Sequence, residues 1–567
     1  MLNFIIGRNN SGKTEKIRAL IAERASENKK CILIVPEQFS FESERSILEK
    51  IGAQKMLNVD ILSFTRLAFV INEQYGKALN KTIDDGTRKV LMSLSLEALS
   101  GKLEYFKRFS SKPALLSNLL TFVTELKQCA VTPDEIAEIS GKTGNKSLGK
   151  KLSELSLIAA SYDALVSRSF FDDENLLTIA ADMISETDFF DGKAVYFDAF
   201  CGFTKQERNC IKSILPKAEN VFISLCTDRD LSREGISVFE NVNSEFSHLK
   251  ECAAEQNVGV SSPEILNVKE DGRSPELVYL EKYLCGEESE PYKEECDNIV
   301  VCAAGNRADE ADFVACEIKK LLRCNPTLRC RNIAVIERTA GTYDKELSES
   351  FKKYGVPMFE DKRRPIGIQP VMVFVKCLLA LCAEGFSTES FMRLLKTGLT
   401  ALSGDEISEL ENYAFLWNID GSKWRRDFTE NPDGLGFDVT EKSQEKLIRL
   451  NDIRKRSVLP VLAFKKDFEE ADGEKKSRLI YEFLIKNGVT EKLREKVEYL
   501  ISSGDTVLCE EQDTVWATLM DMLGKMASAI GETVITAKRY SELFNILLSA
   551  VTLGSLPQEL DLSLIHI

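Results

Sequence analysis

Eight residues near the start of the chain constrain it more than any others. Gly7-Arg8-Asn9-Asn10-Ser11-Gly12-Lys13-Thr14 fits the phosphate-loop pattern G-x-x-x-x-G-K-[ST] at every position. In a chain of 567 residues a chance match is on the order of one in a hundred from average residue usage. The flanks agree with the motif. The apolar run Leu2–Ile6 reads as a strand, and Thr14–Glu27 sets Ile17, Leu20 and Ile21 on one helical face. A loop between such a strand and helix belongs to a parallel α/β sheet. Its glycines let the backbone curl until N–H groups face phosphate oxygens, with Arg8, Asn9, Asn10 and Ser11 forming the curl. The helix N-terminus adds a favourable dipole. Lys13 is placed to reach the β- and γ-phosphates, and the Thr14 hydroxyl to hold Mg²⁺. ATP with Mg²⁺ is the expected ligand.

The α/β pattern continues. Cys31–Val35 is a buried-strand pattern ended by Pro36, and a further strand near Val59–Ser63 leads into a helix. Ala194-Val195-Tyr196-Phe197-Asp198 is four largely apolar residues followed by a carboxylate. Asp198 is the candidate metal partner, acting through water. The next residue is Ala199, where helicase-type ATPases place the glutamate that activates the attacking water. Slow hydrolysis is therefore expected.

Segments 1–83 and 191–270 read as one core interrupted by inserted helices at 84–190, where Leu115, Leu116, Leu119, Leu120, Val123 and Leu126 share a face. The polar, acidic stretch 271–297, including Glu287-Glu288-Ser289-Glu290-Pro291, reads as a linker. Residues 298–387 open a second α/β unit, with strands expected at Asn298–Ala303 and Asn332–Ile336 around a helix at Ala308–Leu322. Residues 388–547 return to helices with charged faces, and 548–561 begin a strand-bearing segment that is cut short. Two parallel-sheet cores, each with an inserted helical subdomain and the second truncated, is the expected layout.

Composition excludes several classes. Only His248 and His566 exist, which removes a Ser-His-Asp hydrolase or a His-rich metal site. Fifteen cysteines without a C-x-x-C pair read as reduced thiols of a cytoplasmic protein. A net charge of −15 argues against a chain coated in positive charge, yet leaves room for a local basic track. No window offers about 18 uninterrupted apolar residues, and the opening residues lack the basic region of a secretion signal; no membrane partner is expected. The terminal Leu562-Ser563-Leu564-Ile565-His566-Ile567 resembles a translated sequencing adaptor and is set aside from the fold; on that reading the chain is expected to be a fragment of a protein that runs on beyond Asp561.

Further blocks follow the phosphate loop in order: Val35-Pro36-Glu37-Gln38-Phe39-Ser40-Phe41, Leu62-Ser63-Phe64-Thr65-Arg66-Leu67-Ala68, Phe171-Asp172-Asp173-Glu174-Asn175-Leu176-Leu177 and Asp198-Ala199-Phe200-Cys201-Gly202-Phe203-Thr204-Lys205-Gln206-Glu207. Later come Ile333-Ala334-Val335-Ile336-Glu337-Arg338, Lys396-Thr397-Gly398 and Leu410-Glu411-Asn412-Tyr413. Together they resemble the AddB family, one of the two subunits of the bacterial AddAB (RexAB-type) helicase–exonuclease, over essentially all of residues 1–561.

The resemblance implies two RecA-like, superfamily 1 helicase-like halves. It implies a protein that binds ATP, pairs with an AddA-type helicase/nuclease subunit at duplex DNA ends and scans the unwound single strand for a Chi sequence during double-strand break repair. The family's strand-reading positions fall here on Gln38, Ser40, Phe64, Arg66, Phe69 and Phe203. Aromatic faces stack on unpaired bases, arginine grips phosphate or guanine, and glutamine pairs with adenine. Arg338 takes the place of an arginine that reaches the γ-phosphate. The runs Lys362-Arg363-Arg364 and Lys423-Trp424-Arg425-Arg426 are candidates for phosphate contact, with solvated surface the simpler reading. The family's nuclease domain and iron–sulfur cluster lie mostly in a distal half beyond Asp561, so no nuclease activity is expected of this chain. Two other readings stand beside this one. A self-sufficient superfamily 1 helicase would want a glutamate beside Asp198, and a non-hydrolysing scaffold would use ATP only to lock a conformation.

Overall fold

The computed structural model describes residues 1–76, 83–107, 112–169, 173–228, 238–267, 272–285, 290–339, 341–359, 364–503, 506–553 and 563–566. It forms two compact units, Met1–Asn298 and Ile299–Ile567.

The first unit is built on β1 (Leu2–Gly7), β2 (Cys31–Ile34), β3 (Val59–Leu62), β4 (Ala194–Phe197), β5 (Asn220–Cys226) and β6 (Glu264–Ile265). They make one sheet in the order β3-β2-β4-β5-β1-β6, with every pair parallel. Side chains alternate between its faces. Phe4, Ile6, Ile32, Ile34, Val195 and Phe197 enter one core, while Ile5, Cys31, Leu33 and Tyr196 enter the other. Such apolar runs belong to strands covered on both sides.

The second core is closed by α1 (Lys13–Ser26), α2 (Ser40–Ile51) and α3 (Ala53–Met56). The first is closed by α4 (Phe64–Tyr75) and, later in the chain, by three further helices. Between α4 and those come α5 (Asp85–Ala98), α6 (Pro113–Gln128), α7 (Pro133–Lys142) and α8 (Lys146–Ser169). Their boundaries follow local chemistry. Asp84 caps α5 through the Thr87 N–H, and Thr132 and Glu135 form a reciprocal cap just ahead of Pro133 in α7. The buried Glu154 carboxylate of α8 accepts the backbone N–H groups of Glu104, Tyr105 and Phe106, which pins that loop to the helix.

α9 (Asp173–Glu186) buries Leu176, Ala180 and Ile184 in the same core as the strands, beside α10 (Lys205–Ile214) and α11 (Glu240–Glu255). The sheet thus reclaims the chain from about residue 173, before the sequence pattern turns back to strand. Within the stretch that read as a linker, α12 (Pro275–Leu284) forms. Its Glu276 carboxylate accepts the Asp297 and Asn298 N–H groups at 3.2 Å each and the Asn298 side chain at 2.8 Å. Glu287, Glu288 and Ser289 of that stretch, and Phe171 and Asp172 of the earlier block, lie outside the described residues.

The second unit contains α13 (Arg307–Cys324), β7 (Ala334–Ile336), α14 (Asp344–Tyr354), β8 (Met358–Phe359) and β9 (Arg364–Pro365). Next come α15 (Pro370–Ala383), α16 (Thr388–Leu395), α17 (Gly404–Leu416), α18 (Glu441–Glu470), α19 (Gly473–Lys486), α20 (Val489–Ser503), α21 (Thr506–Ile530), α22 (Ala537–Ala550), β10 (Thr552–Leu553) and β11 (Ser563–His566). The strand expected at Asn298–Ala303 does not form. The segment has no regular structure, with Val301 91% exposed, because an apolar run becomes a strand only where a ladder partner lies beside it. The helix and strand expected next are present as α13 and β7.

β7, β11 and β8 pair in parallel in that order, and β9 pairs antiparallel with β10. Ser563–His566, part of the terminal stretch set aside from the fold, forms the middle strand, since a backbone ladder needs only extended N–H and C=O groups. α15 is apolar on nearly every side and is the buried spine of the helical part. Among the described residues no helix is long and apolar enough to cross a membrane.

Candidate nucleotide site and the adjoining sheet edge

β1 ends at Gly7 and α1 begins at Lys13, so the phosphate-loop residues form the turn between them at the carboxyl edge of the sheet. That edge is where parallel α/β sheets bind ligands. Two left-handed residues, Asn10 at φ 59° and Gly12 at φ 87°, make the curl. Gly7 cannot be replaced. A Cβ there would fall 2.3 Å from Ser11 Oγ and 2.9 Å from the Leu266 carbonyl. With glycine as its N-cap, α1 has no side chain satisfying its first N–H groups, which suits an anion. Lys13 Nζ lies over the loop and donates to the Gly7 carbonyl at 2.8 Å and the Arg8 carbonyl at 2.7 Å. The donor set fits a phosphate chain: backbone N–H groups, one ammonium and the Thr14 hydroxyl.

The Arg8 guanidinium is tied to the exit of β5. It is 9% exposed and pairs with Asp228 at 2.9 Å. Asp198 stands just past β4, 5% exposed, and accepts a 2.5 Å hydrogen bond from Ser224 Oγ of β5. β5 lies between β4 and β1, so the Asp198 strand and the loop strand are two spacings apart, about 10 Å. Ala199 follows at φ 66°, a left-handed position that turns the chain sharply after the carboxylate.

The positions that the resemblance marks for strand reading lie on the other side of β4. Gln38 and Ser40 follow β2, Phe64, Arg66 and Phe69 open α4 after β3, and Phe203 follows β4; β3, β2 and β4 are neighbours in the sheet. Ser63 stitches two of these segments together. Its hydroxyl accepts the Arg66 N–H at 3.2 Å and donates to Glu37 at 3.5 Å. Gln38 and Arg66 are exposed, while Ser40 is half-buried with its hydroxyl unpartnered.

Phe64 and Phe203 differ from the expectation of open stacking faces. Each is 6% exposed, and they pack with Phe197 and Phe200 at centroid distances of 4.8–6.1 Å. Their rings close the edge of the core, because four apolar rings at one sheet corner bury one another before any ligand arrives. Phe69 packs partly buried against the same core. The rings that are exposed here are Phe39 and Phe41, the latter 78%.

In the second unit Arg338 is exposed just after β7. Lys362 and Arg363 lie outside the described residues. In the other basic run Trp424 is fully buried among Phe386, Phe391 and Phe428, leaving Arg425 and Arg426 exposed beside it. Two residues of the site carry no sequence signal of their own. Ser224 is visible only as a hydroxyl inside the apolar run Val221–Leu225, and Asp228 only as a carboxylate after a strand. Neither belongs to a motif.

Residues 4–281 match the model of the family described as ADDB, N-terminal. That segment belongs to the AddB family. Its relatives include proteins named as the B-subunit of an ATP-dependent helicase/deoxyribonuclease. The one from Acetivibrio thermocellus is 29% identical over 576 residues, 99% of this chain and 50% of the relative. The one from Clostridium acetobutylicum is 29% identical over 570 residues, 99% of this chain and 49% of the relative. The one from Thermoanaerobacter pseudethanolicus is 28% identical over 571 residues, again 99% and 49%. The chain spans about half the length of the curated relatives it matches. The likeness to them thus runs through both units.

Proposed function

We propose that the chain is the ATP-binding, single-stranded-DNA-binding part of the AddB-type component in a helicase–nuclease complex that processes double-strand breaks for recombination. The observation that carries this reading is the complete phosphate loop, held between β1 and α1 at the carboxyl edge of a parallel sheet. The curled backbone and the first turn of α1 hold the phosphates, Lys13 meets their charge, and Thr14 and Asp198 face the metal side. Bound Mg²⁺ supplies neutralisation of the phosphate oxygens. Ala199 leaves the strand end with no second carboxylate, beside the metal-side Asp198, to take a proton from water, so ATP acts mainly as a bound ligand and turnover is slow.

The second half of the reading concerns DNA. Exposed Gln38 and Arg66 and the half-buried Ser40 supply polar contacts past the ends of β2 and β3. A threaded single strand is gripped there and scanned for a Chi sequence. The printed names of the relatives support an AddA-type partner and a nuclease in the assembled complex. Calorimetric titration of the intact chain with ATP and Mg²⁺ tests the first half. Uptake that disappears in Lys13→Ala is the expected result, and a parent chain that gives no heat of binding would overturn the reading.

A further inference from the structure

The two halves of the nucleotide site sit on strands that do not touch. The phosphate loop leaves β1, Asp198 leaves β4, and β5 runs between them. Whatever sets their spacing must act through β5, and this strand and its exit carry two polar residues that burial does not explain. Ser224 is 3% exposed between the fully buried Ile223 and Leu225, at a position where an apolar residue would pack without a polar atom to satisfy. Its hydroxyl donates to Asp198 Oδ1 at 2.5 Å. Four residues on, Asp228 pairs with the buried Arg8 guanidinium at 2.9 Å.

Arg8 is thus held at both ends. Its side chain is tied to the end of β5, and its carbonyl accepts Lys13 Nζ at 2.7 Å. The end of β5 is itself anchored, because fully buried Thr227 donates to Asn243 of α11 at 2.5 Å. One strand therefore grips the loop on one side and the metal-side carboxylate on the other.

We infer that Ser224 and Asp228 are positioning residues of the nucleotide site: Asp228 sets the phosphate loop through Arg8, and Ser224 orients the Asp198 carboxylate so that Oδ2 is left for the metal. The inference rests on the ATP-binding reading above. It also gives Arg8 a role that its place in the motif does not reveal. Its guanidinium braces the loop from behind rather than meeting phosphate.

The two residues carry different signatures, which separates positioning from general loss of stability. The intact chain and its variants are titrated with ATP across a series of Mg²⁺ concentrations, with thermal melting as the control for folding. Asp228→Asn is expected to bind ATP roughly tenfold more weakly even at saturating Mg²⁺, the loss typical of one charge-assisted contact. Asp228→Glu should recover most of it. Should Asp228→Asn fail to fold, Arg8→Lys, which keeps the charge but loses the planar fork, is expected to weaken ATP in the same way.

Ser224→Ala is expected to bind ATP normally at saturating Mg²⁺ while needing about fivefold more Mg²⁺ for half-maximal binding. Ser224→Thr should restore the parent behaviour. A binding parent whose Asp228 and Ser224 variants match it in ATP and Mg²⁺ dependence overturns this inference alone. So, for Ser224, does a loss that excess Mg²⁺ does not recover. A parent that takes up no ATP overturns the functional reading and this inference with it.

Discussion

At the scale of single residues, burial separates side chains that a motif presents as equals. Phe64 and Arg66 stand two apart in one block, yet one is locked into a cluster of four phenylalanines and the other is exposed. Phe64→Ala should leave a cavity and cost about 3–5 kcal/mol in denaturant unfolding. Arg66→Ala should change stability by less than about 0.5 kcal/mol while weakening single-strand binding in a filter or anisotropy assay. Equal unfolding curves for the two variants would contradict this division. The phosphate loop is fully legible in the sequence because its eight positions are contiguous and its chemistry is carried by backbone and glycine. Ser224 and Asp228 are not, since their meaning comes from Asp198 and Arg8, which are close only once the sheet is assembled. The inward turn of Phe64 and Phe203 is hidden for the same reason. Thiols divide in the same manner. Burial pushes Cys31 up to about 11 and Cys382 up to about 12, so at pH 8 both stay protonated. Exposed Cys129, Cys201 and Cys324 should alkylate first in a mass-spectrometric time course.

At the scale of elements, periodicity identifies α13 and the opening β-α-β units because each carries its own signal in consecutive residues. It errs at Asn298–Ala303, an apolar run with no ladder partner among the described residues. It also misses how firmly the preceding segment is tied. The Glu276 carboxyl is held down to about 2 by its own backbone N–H and by the Asn298 side chain. A depressed carboxyl contributes stability that is fully present above the unfolded value, about 4.3, and is lost as pH falls through the folded one. Residues 290–298 should therefore become susceptible to an acid protease between about pH 4 and 2. The Glu276→Gln variant should be cut there irrespective of pH. Protection that persists at pH 2 in the parent would show that the carboxylate is not the fastener.

At the scale of the whole molecule, the two units meet in sequence at Asn298 and Ile299, followed by the exposed Val300 and Val301, which have no regular structure. Brief thermolysin treatment should cut first between residues 299 and 306 and release two fragments, each cooperative in thermal melting. Random early cleavage through both units would refute that. Within the first unit, the order of its strands sets a timetable. β1 is the first strand made, yet its long neighbour in the sheet is β5, paired from Leu2↔Val221 to Gly7↔Cys226. At 5–20 residues per second, a ribosome needs roughly 10–40 s to deliver that partner. During this interval the opening glycine turn has a helix on one side and no sheet on the other. A nascent chain of this kind offers this largely apolar strand to chaperones well before it can recognise a nucleotide.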